Sequence, residues 1–257
     1  MTQDYIFPID KLDQEWMTDT KNKDIQPVVL LACGSFNPIT FMHLRMFEIC
    51  KDWCNNHTGD NGKKYHVIGG YMSPVGDAYK KATLIAAHYR LQIVNLAVMS
   101  SEWVMMDKWE SMNLDFTPTR QVLDHFHLYV NNHFKQIMDP ASYRPVQIKL
   151  ICGADLLASF NVPNLWDEED MKIITSDKYG IICIERPGTN FQEILDANPI
   201  LQANKNNIYH VPVGITNDLS STKIRDMISK GLSINYLTEA PVIDYIHKNN
   251  LYGYQKK

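Results

Sequence analysis

The apolar segments of this sequence are continuous runs, and this feature most constrains the fold. Residues 28–33 read VVLLAC and residues 181–184 read IICI, with no polar side chain in either run. Such runs are typical of strands that a parallel sheet buries on both faces. Longer amphipathic stretches separate the runs, and alternating strands and helices favour a doubly wound parallel sheet. We therefore predict an α/β fold of about six parallel strands with helices on both faces.

The same pattern predicts the individual elements. The predicted strands are Val28–Cys33, Tyr65–Tyr71, Trp103–Met106, Val146–Cys152, Gly180–Ile184 and Ile208–Pro212. The predicted helices are Phe41–Cys54, Leu84–Ser100, Arg120–Met138, Asp155–Phe160, Ser221–Lys230 and Pro241–Asn249. Residues 1–26 are polar, acid-rich and without sustained periodicity. We expect a flexible N-terminal extension there and a single domain over residues 27–257.

Composition and charge narrow the possible function classes. The chain has 25 basic and 29 acidic side chains and a net charge of −4, whereas nucleic-acid-binding proteins normally carry a basic excess. No run approaches the roughly eighteen apolar residues of a membrane span, and the N-terminus lacks a secretory pattern. We therefore expect neither nucleic acid nor a membrane as a partner. The five cysteines are scattered and lack zinc-ligand spacing, so we expect reduced thiols and no metal-binding residues.

The segment after the first predicted strand is a candidate ligand loop, because doubly wound sheets bind ligands at the carboxyl ends of their strands. It reads GSFNPITFMH from Gly34 to His43. Gly34 lets the backbone approach a ligand, and Thr40 and His43 share the first helical turn, where both can face an anion. The loop lacks the glycines of a dinucleotide fingerprint and the ending of a P-loop. An NAD-dependent dehydrogenase and a Walker-type ATPase are therefore disfavoured.

Two later segments offer further contacts for a nucleotide. Gly153 and Asp155 follow the fourth predicted strand, where a glycine again permits close approach and a carboxylate can accept hydrogen bonds from a ribose. After the last strand, the run SSTKIR from Ser220 to Arg225 combines hydroxyls, helix amides and a guanidinium. That combination suits a triphosphate. The alternative is that these hydroxyls only cap a helix.

Several motifs resemble those of one enzyme family. GSFNPIT-x-x-H and SSTKIR resemble the two phosphate motifs of the nucleotidyltransferase superfamily. The stretches SPVGDAYKK, DKWES, CGADLLASF and PNLW, in this order along the chain, are similar to those of the eukaryotic nicotinamide-mononucleotide adenylyltransferases. The resemblance implies a Rossmann-like fold. It also implies adenylyl transfer from ATP to nicotinamide mononucleotide or nicotinic acid mononucleotide, which forms NAD or deamido-NAD and pyrophosphate.

The resemblance also implies roles for individual residues. Catalytic roles would fall to His43, Lys223 and Arg225. ATP and its phosphates would contact Gly34, Ser35, Phe36, Thr40, His43, Gly153, Asp155, Arg186, Asn217, Ser221, Thr222, Lys223, Ile224 and Arg225. The mononucleotide would contact Tyr79, Lys81, Phe116, Thr119, Leu165 and Trp166. The family usually has tryptophan where this chain has Phe116, which predicts looser mononucleotide binding because phenylalanine has the weaker quadrupole.

Cofactor, partners and compartment follow from the same resemblance. Mg²⁺ would be carried by the ATP phosphates, and a homo-oligomer is usual in the family. Nuclear relatives can carry a basic cluster before the fourth strand, where residues 117–147 here contain only Arg120, Lys135 and Arg144. We therefore expect a cytoplasmic or a nuclear protein, with the cytosol favoured.

The sequence leaves two alternative functions open. The phosphate motifs alone fit other adenylyltransferases and cytidylyltransferases, although PNLW and SPVGDAYKK favour the nicotinamide family. An additional non-enzymatic, chaperone-like role in holding other proteins also stays open.

Overall fold

Six strands form one parallel sheet at the centre of the protein. The computed structural model describes residues 5–58, 62, 64–79, 82–185, 188–215 and 217–255. The strands are β1 (Gln26–Gly34), β2 (Tyr65–Pro74), β3 (Val104–Met106), β4 (Gln147–Gly153), β5 (Ile181–Ile184) and β6 (Ile208–Val211). Their order in the sheet is β3-β2-β1-β4-β5-β6, and every pairing is parallel. The prediction of a doubly wound, Rossmann-like sheet is confirmed.

Helices cover both faces of the sheet, as predicted. They are α1 (Gln14–Thr18), α2 (Phe41–Asn56), α3 (Ala87–Val98), α4 (Trp109–Met112), α5 (Thr119–Ile137), α6 (Ala154–Ser159), α7 (Glu168–Ile174), α8 (Phe191–Asp196), α9 (Pro199–Ala203), α10 (Ser221–Ser229) and α11 (Ala240–Lys248). The predicted helices do not include α1, α4, α7, α8 and α9, since helices of four to seven residues are too short to show a clear 3.6-residue period. In the described part of the chain, no helix has both the length and the apolarity to cross a membrane.

The continuous apolar runs have a direct structural explanation. Along β1, Val29 and Leu31 point into the core that contains α5 and α7, whereas Val28 and Leu30 point into the core that contains α2 and α3. All four side chains are fully buried. Burying such a side chain is worth roughly 1.5–3 kcal/mol, so a polar residue on either face of β1 would be costly.

The expectation of a separate N-terminal extension is corrected for residues 5–25. Phe7, Leu12 and Met17 are buried in the same core as Val29 and Leu31 of β1. The hydroxyl of Tyr5 lies 2.7 Å from Asp107 Oδ2 and 2.8 Å from His125 Nε2. Phe7, Leu12 and Met17 are five positions apart, a spacing that matches neither the 3.6-residue period of a helix nor the two-residue period of a strand. The segment is part of the folded body of the protein.

The strand order reverses between β1 and β4. β1 pairs with β2 on one side and with β4 on the other, so the chain leaves these two strands in opposite directions. In open α/β sheets this divergence forms the crevice in which ligands bind. The loops after β1 and β4 therefore lie at the binding crevice, as the sequence predicts.

Candidate active site

Two adjoining cavities occupy the crevice. The helix-end cavity, about 480 Å³, is lined by residues at the starts of α2, α6 and α10. The aromatic cavity, about 540 Å³, is lined by Tyr79, Phe116 and Trp166 among other residues. Both cavities share the wall formed by Cys33, Gly34, Ser35, Asp155 and Leu156. Two ligands placed in these cavities would meet at the carboxyl ends of β1 and β4.

His43 has a defined orientation at the start of α2. Thr40 is the N-cap residue of α2, and its backbone N–H donates to His43 Nδ1 at 2.9 Å, which closes a capping box. A backbone N–H can only donate, so Nδ1 is the acceptor and the neutral imidazole carries its proton on Nε2. The Phe36 ring packs edge-on against the imidazole at 5.4 Å between centroids. The capping box thus fixes the orientation of the His43 ring, which lines the helix-end cavity.

Long-range hydrogen bonds tie the start of α10 to the β1–α2 loop. Arg225 Nη1 donates to the carbonyl oxygen of Asn37 at 2.8 Å, and Ser221 Oγ donates to the carbonyl oxygen of Pro38 at 2.7 Å. Ser221, Thr222 and Arg225 line the helix-end cavity together with Thr40 and His43. The structure therefore brings the two predicted phosphate motifs to one site.

Asn37 is a buried part of this arrangement that the sequence analysis did not single out. Its Nδ2 donates to the carbonyl oxygen of Thr83 at 2.8 Å, and its Oδ1 accepts from the backbone N–H of Ile85 at 3.3 Å. These bonds hold the β1–α2 loop against the segment that leads into α3. The asparagine directly before Pro38 was the available signal, since Asn-Pro marks a defined turn.

Arg90 of α3 also contacts the β1–α2 loop. Its side chain is fully buried, Nη1 donates to the carbonyl oxygen of Ser35 at 3.3 Å, and Nη2 lies 3.5 Å from Asp77. Burial lowers the pKa of the Arg90 guanidinium, and the carboxylate of Asp77 counteracts that shift. The sequence analysis missed Arg90, because nothing local distinguishes it from a solvent-exposed residue of α3.

The two glycines of the site, Gly34 and Gly153, differ in what surrounds them. A Cβ atom at Gly34 would lie 3.2 Å from the Phe36 ring, so Gly34 packs closely against that ring. A Cβ atom at Gly153 would meet no protein atom within 4 Å, and Gly153 lines the helix-end cavity. The missing side chain at Gly153 leaves room for a ligand rather than for the protein.

Some predicted phosphate-binding residues lie away from the helix-end cavity. Lys223 pairs with Asp218 on the surface, Ile224 is fully buried in the core, and Asn217 accepts the backbone N–H of Leu219 at 2.8 Å. None of the three lines the cavity. The prediction treated SSTKIR as one contiguous surface, but successive helical residues point in different directions. Ser220 caps α10 by accepting from Lys223 N–H at 3.3 Å, so the capping alternative holds for this one residue.

Trp166 dominates one wall of the aromatic cavity. Its indole stacks on Phe160 with ring centroids 4.4 Å apart and 14° between the planes, and its Nε1–H donates to Ser159 Oγ at 3.0 Å. Leu165 and Thr119 line the same cavity. The rings of Tyr79 and Phe116, which line the same cavity, lie 6.1 Å apart at 27°. The cavity therefore presents fixed aromatic surfaces of a kind suited to a flat ring.

A cytidylyltransferase-like family model matches residues 31–227 of the chain. The chain is 43% identical to nicotinamide/nicotinic acid mononucleotide adenylyltransferase 1 of Bos taurus, with 91% of each chain covered. It is 41% identical to the nicotinamide/nicotinic acid mononucleotide adenylyltransferase of Arabidopsis thaliana, over 97% of this chain and 98% of that one. The chain belongs to this adenylyltransferase family.

A solved structure agrees with the fold of this family member. Plasmodium falciparum nicotinic acid mononucleotide adenylyltransferase complexed with NaAD superposes with a TM-score of 0.62. The match covers 90% of this chain and 99% of that chain at 21% sequence identity. At this identity the likeness concerns the fold, and it agrees with the strand order described above.

Two predicted site residues of this adenylyltransferase are not described by the structure, and its described residues form no metal-binding cluster. Lys81 and Arg186 lie outside the residues that the structure describes. Among the described residues, no three His, Cys, Asp or Glu side chains are grouped to hold a metal ion. The acidic residues that line the helix-end cavity are Asp155 and Glu185. This sparse carboxylate set fits a cation that arrives bound to phosphate oxygens.

Proposed function

We propose that the protein transfers the adenylyl group of ATP to nicotinamide mononucleotide, and also to nicotinic acid mononucleotide. The products are NAD or deamido-NAD and pyrophosphate. The observation that carries the proposal is the pair of cavities that meet at Gly34, Ser35 and Asp155. One cavity presents helix amino ends, the guanidinium of Arg225 and the imidazole of His43, and the other presents aromatic rings. This division suits a triphosphate on one side and a pyridine mononucleotide on the other.

ATP would occupy the helix-end cavity. The amino ends of α2 and α10 carry partial positive charge, and Arg225 and the Nε2–H of His43 add donors on the same side. Magnesium enters with ATP as part of the substrate and neutralises phosphate charge. The open surface at Gly153 and the carboxylate of Asp155 would receive the adenosine portion.

The mononucleotide would occupy the aromatic cavity with its 5′-phosphate at the shared wall. The free face of the Trp166 indole would stack on the pyridine ring, whose positive charge favours an aromatic surface. The backbone at Leu165 and Trp166, with Thr119 across the cavity, would bind the carboxamide or carboxylate. Tyr79 and Phe116 would cover the ribose side.

The reaction would be a direct displacement at the α-phosphorus. An oxygen of the mononucleotide phosphate attacks the ATP α-phosphorus, the bond from that phosphorus to the bridging oxygen breaks, and pyrophosphate leaves with the electron pair. The protein positions both reactants and stabilises charge that develops on the phosphate oxygens. His43 and Arg225 are the groups placed for that stabilisation.

The proposal is tested by pyrophosphate release. The purified protein is incubated with ATP and Mg²⁺ plus nicotinamide mononucleotide, nicotinic acid mononucleotide or phosphopantetheine. We expect turnover with both pyridine mononucleotides and none with phosphopantetheine. Turnover with phosphopantetheine alone would replace the proposed acceptor by that of another nucleotidyltransferase. Chelation of Mg²⁺ should abolish the reaction, and added Mg²⁺ should restore it.

Assembly and compartment are part of the same proposal. We infer a homo-oligomer and a cytoplasmic or nuclear location from the family resemblance. Light scattering coupled to size-exclusion chromatography measures the mass of the assembly. Imaging of a fluorescent fusion in cells determines the compartment.

A further inference from the structure

Glu110 is a buried carboxyl group at the edge of the proposed mononucleotide site. It lies in α4, is only 4% exposed, and belongs to the residues that line the aromatic cavity. Its Oε2 accepts a hydrogen bond from Ser73 Oγ at 2.5 Å. Ser73 pairs in register with Cys33 of β1, which belongs to the wall shared by both cavities. Glu110 therefore lies at the end of the aromatic cavity that adjoins the proposed phosphate position.

The elements around Glu110 leave its charge poorly compensated. Burial of the carboxyl group has the largest effect and raises the pKa of Glu110, and Asp107, just before α4, raises it further. The Ser73 hydrogen bond and Arg90 of α3 favour the ionised form, but burial outweighs them. Arg90 already shares its guanidinium with the Ser35 carbonyl and Asp77. From β1, the Cys33 thiol has a pKa well above its usual value because of burial and the nearby Glu110, so it stays neutral. These effects raise the pKa of Glu110 to about 8.

We propose that Glu110 is a proton-linked determinant of mononucleotide binding: the neutral carboxyl group admits the 5′-phosphate to the Ser35 end of the aromatic cavity, and the carboxylate repels it. The proposal rests on the proposed function, which places a phosphate at that wall. The second pKa of a phosphate monoester is about 6, so the ligand is a dianion throughout the range from pH 7.5 to 9.5. A pH effect in this range must then come from the protein.

The size of the effect follows from the protonated fraction of Glu110. With a pKa of about 8, about three quarters of the molecules carry the neutral form at pH 7.5 and about one in thirty at pH 9.5. An apparent dissociation constant scales inversely with the fraction of protein that can bind. We expect KM for the mononucleotide to rise about 25-fold over this range, while KM for ATP stays nearly constant.

The first test compares pH profiles of wild type, Glu110→Gln and the control Glu102→Gln. Glu102 is exposed and outside both cavities, and glutamine at position 110 imitates the neutral carboxyl group. We expect Glu110→Gln to keep a low, flat mononucleotide KM up to pH 9.5, below that of wild type, while Glu102→Gln follows wild type. A Glu110→Gln profile that rises like the wild-type profile would overturn the proposal. Replacing a residue that has a purely structural role would not improve mononucleotide binding at high pH.

A second test keeps Glu110 and changes its partner. The Ser73 hydrogen bond lowers the pKa of Glu110, so Ser73→Ala should move the rise in mononucleotide KM to higher pH. A midpoint that stays fixed or falls contradicts the proposal.

Two different outcomes distinguish an error in the proposed function from an error in the role of Glu110. If neither mononucleotide supports the release of pyrophosphate from ATP at pH 7.5, the proposed function is wrong. If turnover is normal there but wild type and Glu110→Gln share one pH profile, only the role of Glu110 is wrong.

Discussion

Arg225 Nη1 donates a hydrogen bond to the backbone carbonyl oxygen of Asn37 at 2.8 Å, across 188 positions of sequence. This bond joins the amino end of α10 to the loop that precedes α2. Because Asn37 is itself fixed by Thr83 and Ile85, the guanidinium has a rigid support. The geometry lets Arg225 offer its remaining N–H groups to a phosphate without first becoming ordered.

Replacing Arg225 should lower kcat/KM far more than replacing its cationic neighbour Lys223. Arg225→Ala removes a cavity donor and the tie to Asn37, so we expect kcat/KM to fall by about 10²–10³-fold. Lys223→Ala should lower kcat/KM less than about threefold, because the Lys223 side chain pairs with Asp218 and does not line the helix-end cavity. Steady-state pyrophosphate release measures both variants. Equal losses in the two variants would show that Lys223 reaches the phosphates after all.

His43 should contribute separately to catalysis and to stability. His43→Ala removes the Nε2 donor and the acceptor of the Thr40 N–H, so we expect kcat to fall by about 10²–10³-fold. The free energy of unfolding should fall by about 1 kcal/mol through loss of the cap. Glutamine at this position can close a capping box, so His43→Gln should recover stability while kcat stays low. Stability is measured by urea denaturation, and recovery of kcat together with stability would refute the donor role.

The glycine at 153 should matter for ligand binding but not for folding. Its φ is −83°, which any residue adopts, and a Cβ there meets no protein atom within 4 Å. Gly153→Ala should therefore change the free energy of unfolding by less than about 0.5 kcal/mol and raise KM for ATP.

Gly180→Ala serves as the contrasting variant. Gly180 has φ +78°, and a Cβ there would lie 2.7 Å from the Asn207 carbonyl oxygen. We expect a loss of about 1–3 kcal/mol in stability. If Gly153→Ala destabilises the protein as much as Gly180→Ala, the open surface at Gly153 has another explanation.

A tryptophan at position 116 should tighten mononucleotide binding. Phe116 is 56% exposed and lines the aromatic cavity beside Tyr79, so a larger ring can be accommodated. The stronger quadrupole of tryptophan favours a cationic pyridinium, and KM for nicotinamide mononucleotide should fall severalfold in Phe116→Trp. An unchanged KM would place Phe116 outside the contact surface. KM for ATP provides the internal control.

Tyr5 should anchor the N-terminal segment. Its pKa is raised by burial and by Asp107, so its hydroxyl stays protonated and donates at all ordinary pH values. Tyr5→Phe removes the bond to Asp107, whose side chain is buried, and should cost about 1–3 kcal/mol of unfolding free energy. Tyr236→Phe is the matched control, because Tyr236 is 90% exposed. Equal stability of the two variants in urea denaturation would contradict the anchoring role.

The sequence by itself determined the features that depend on local chemistry. The runs 28–33 and 181–184 indicate strands buried on both faces, because each residue along a central strand faces a core. The Thr40–His43 pair is equally local, since an N-cap and the residue three positions later always share a helical turn. The glycine at 153 was also recognisable from its place after a buried strand.

The tertiary structure alone decided which side chains converge. Lys223 lies next to Thr222 in sequence, yet its side chain extends to Asp218 and away from the helix-end cavity. Asn37 and Glu110 lie in the motifs GSFNPIT and DKWES, and Arg90 lies in none. The contacts of all three are made to partners dozens of positions away. The first described residues look like an unstructured tail but bury Phe7 against the sheet. Hydrogen bonds and burial between distant segments depend on the packed fold, and no local pattern encodes them.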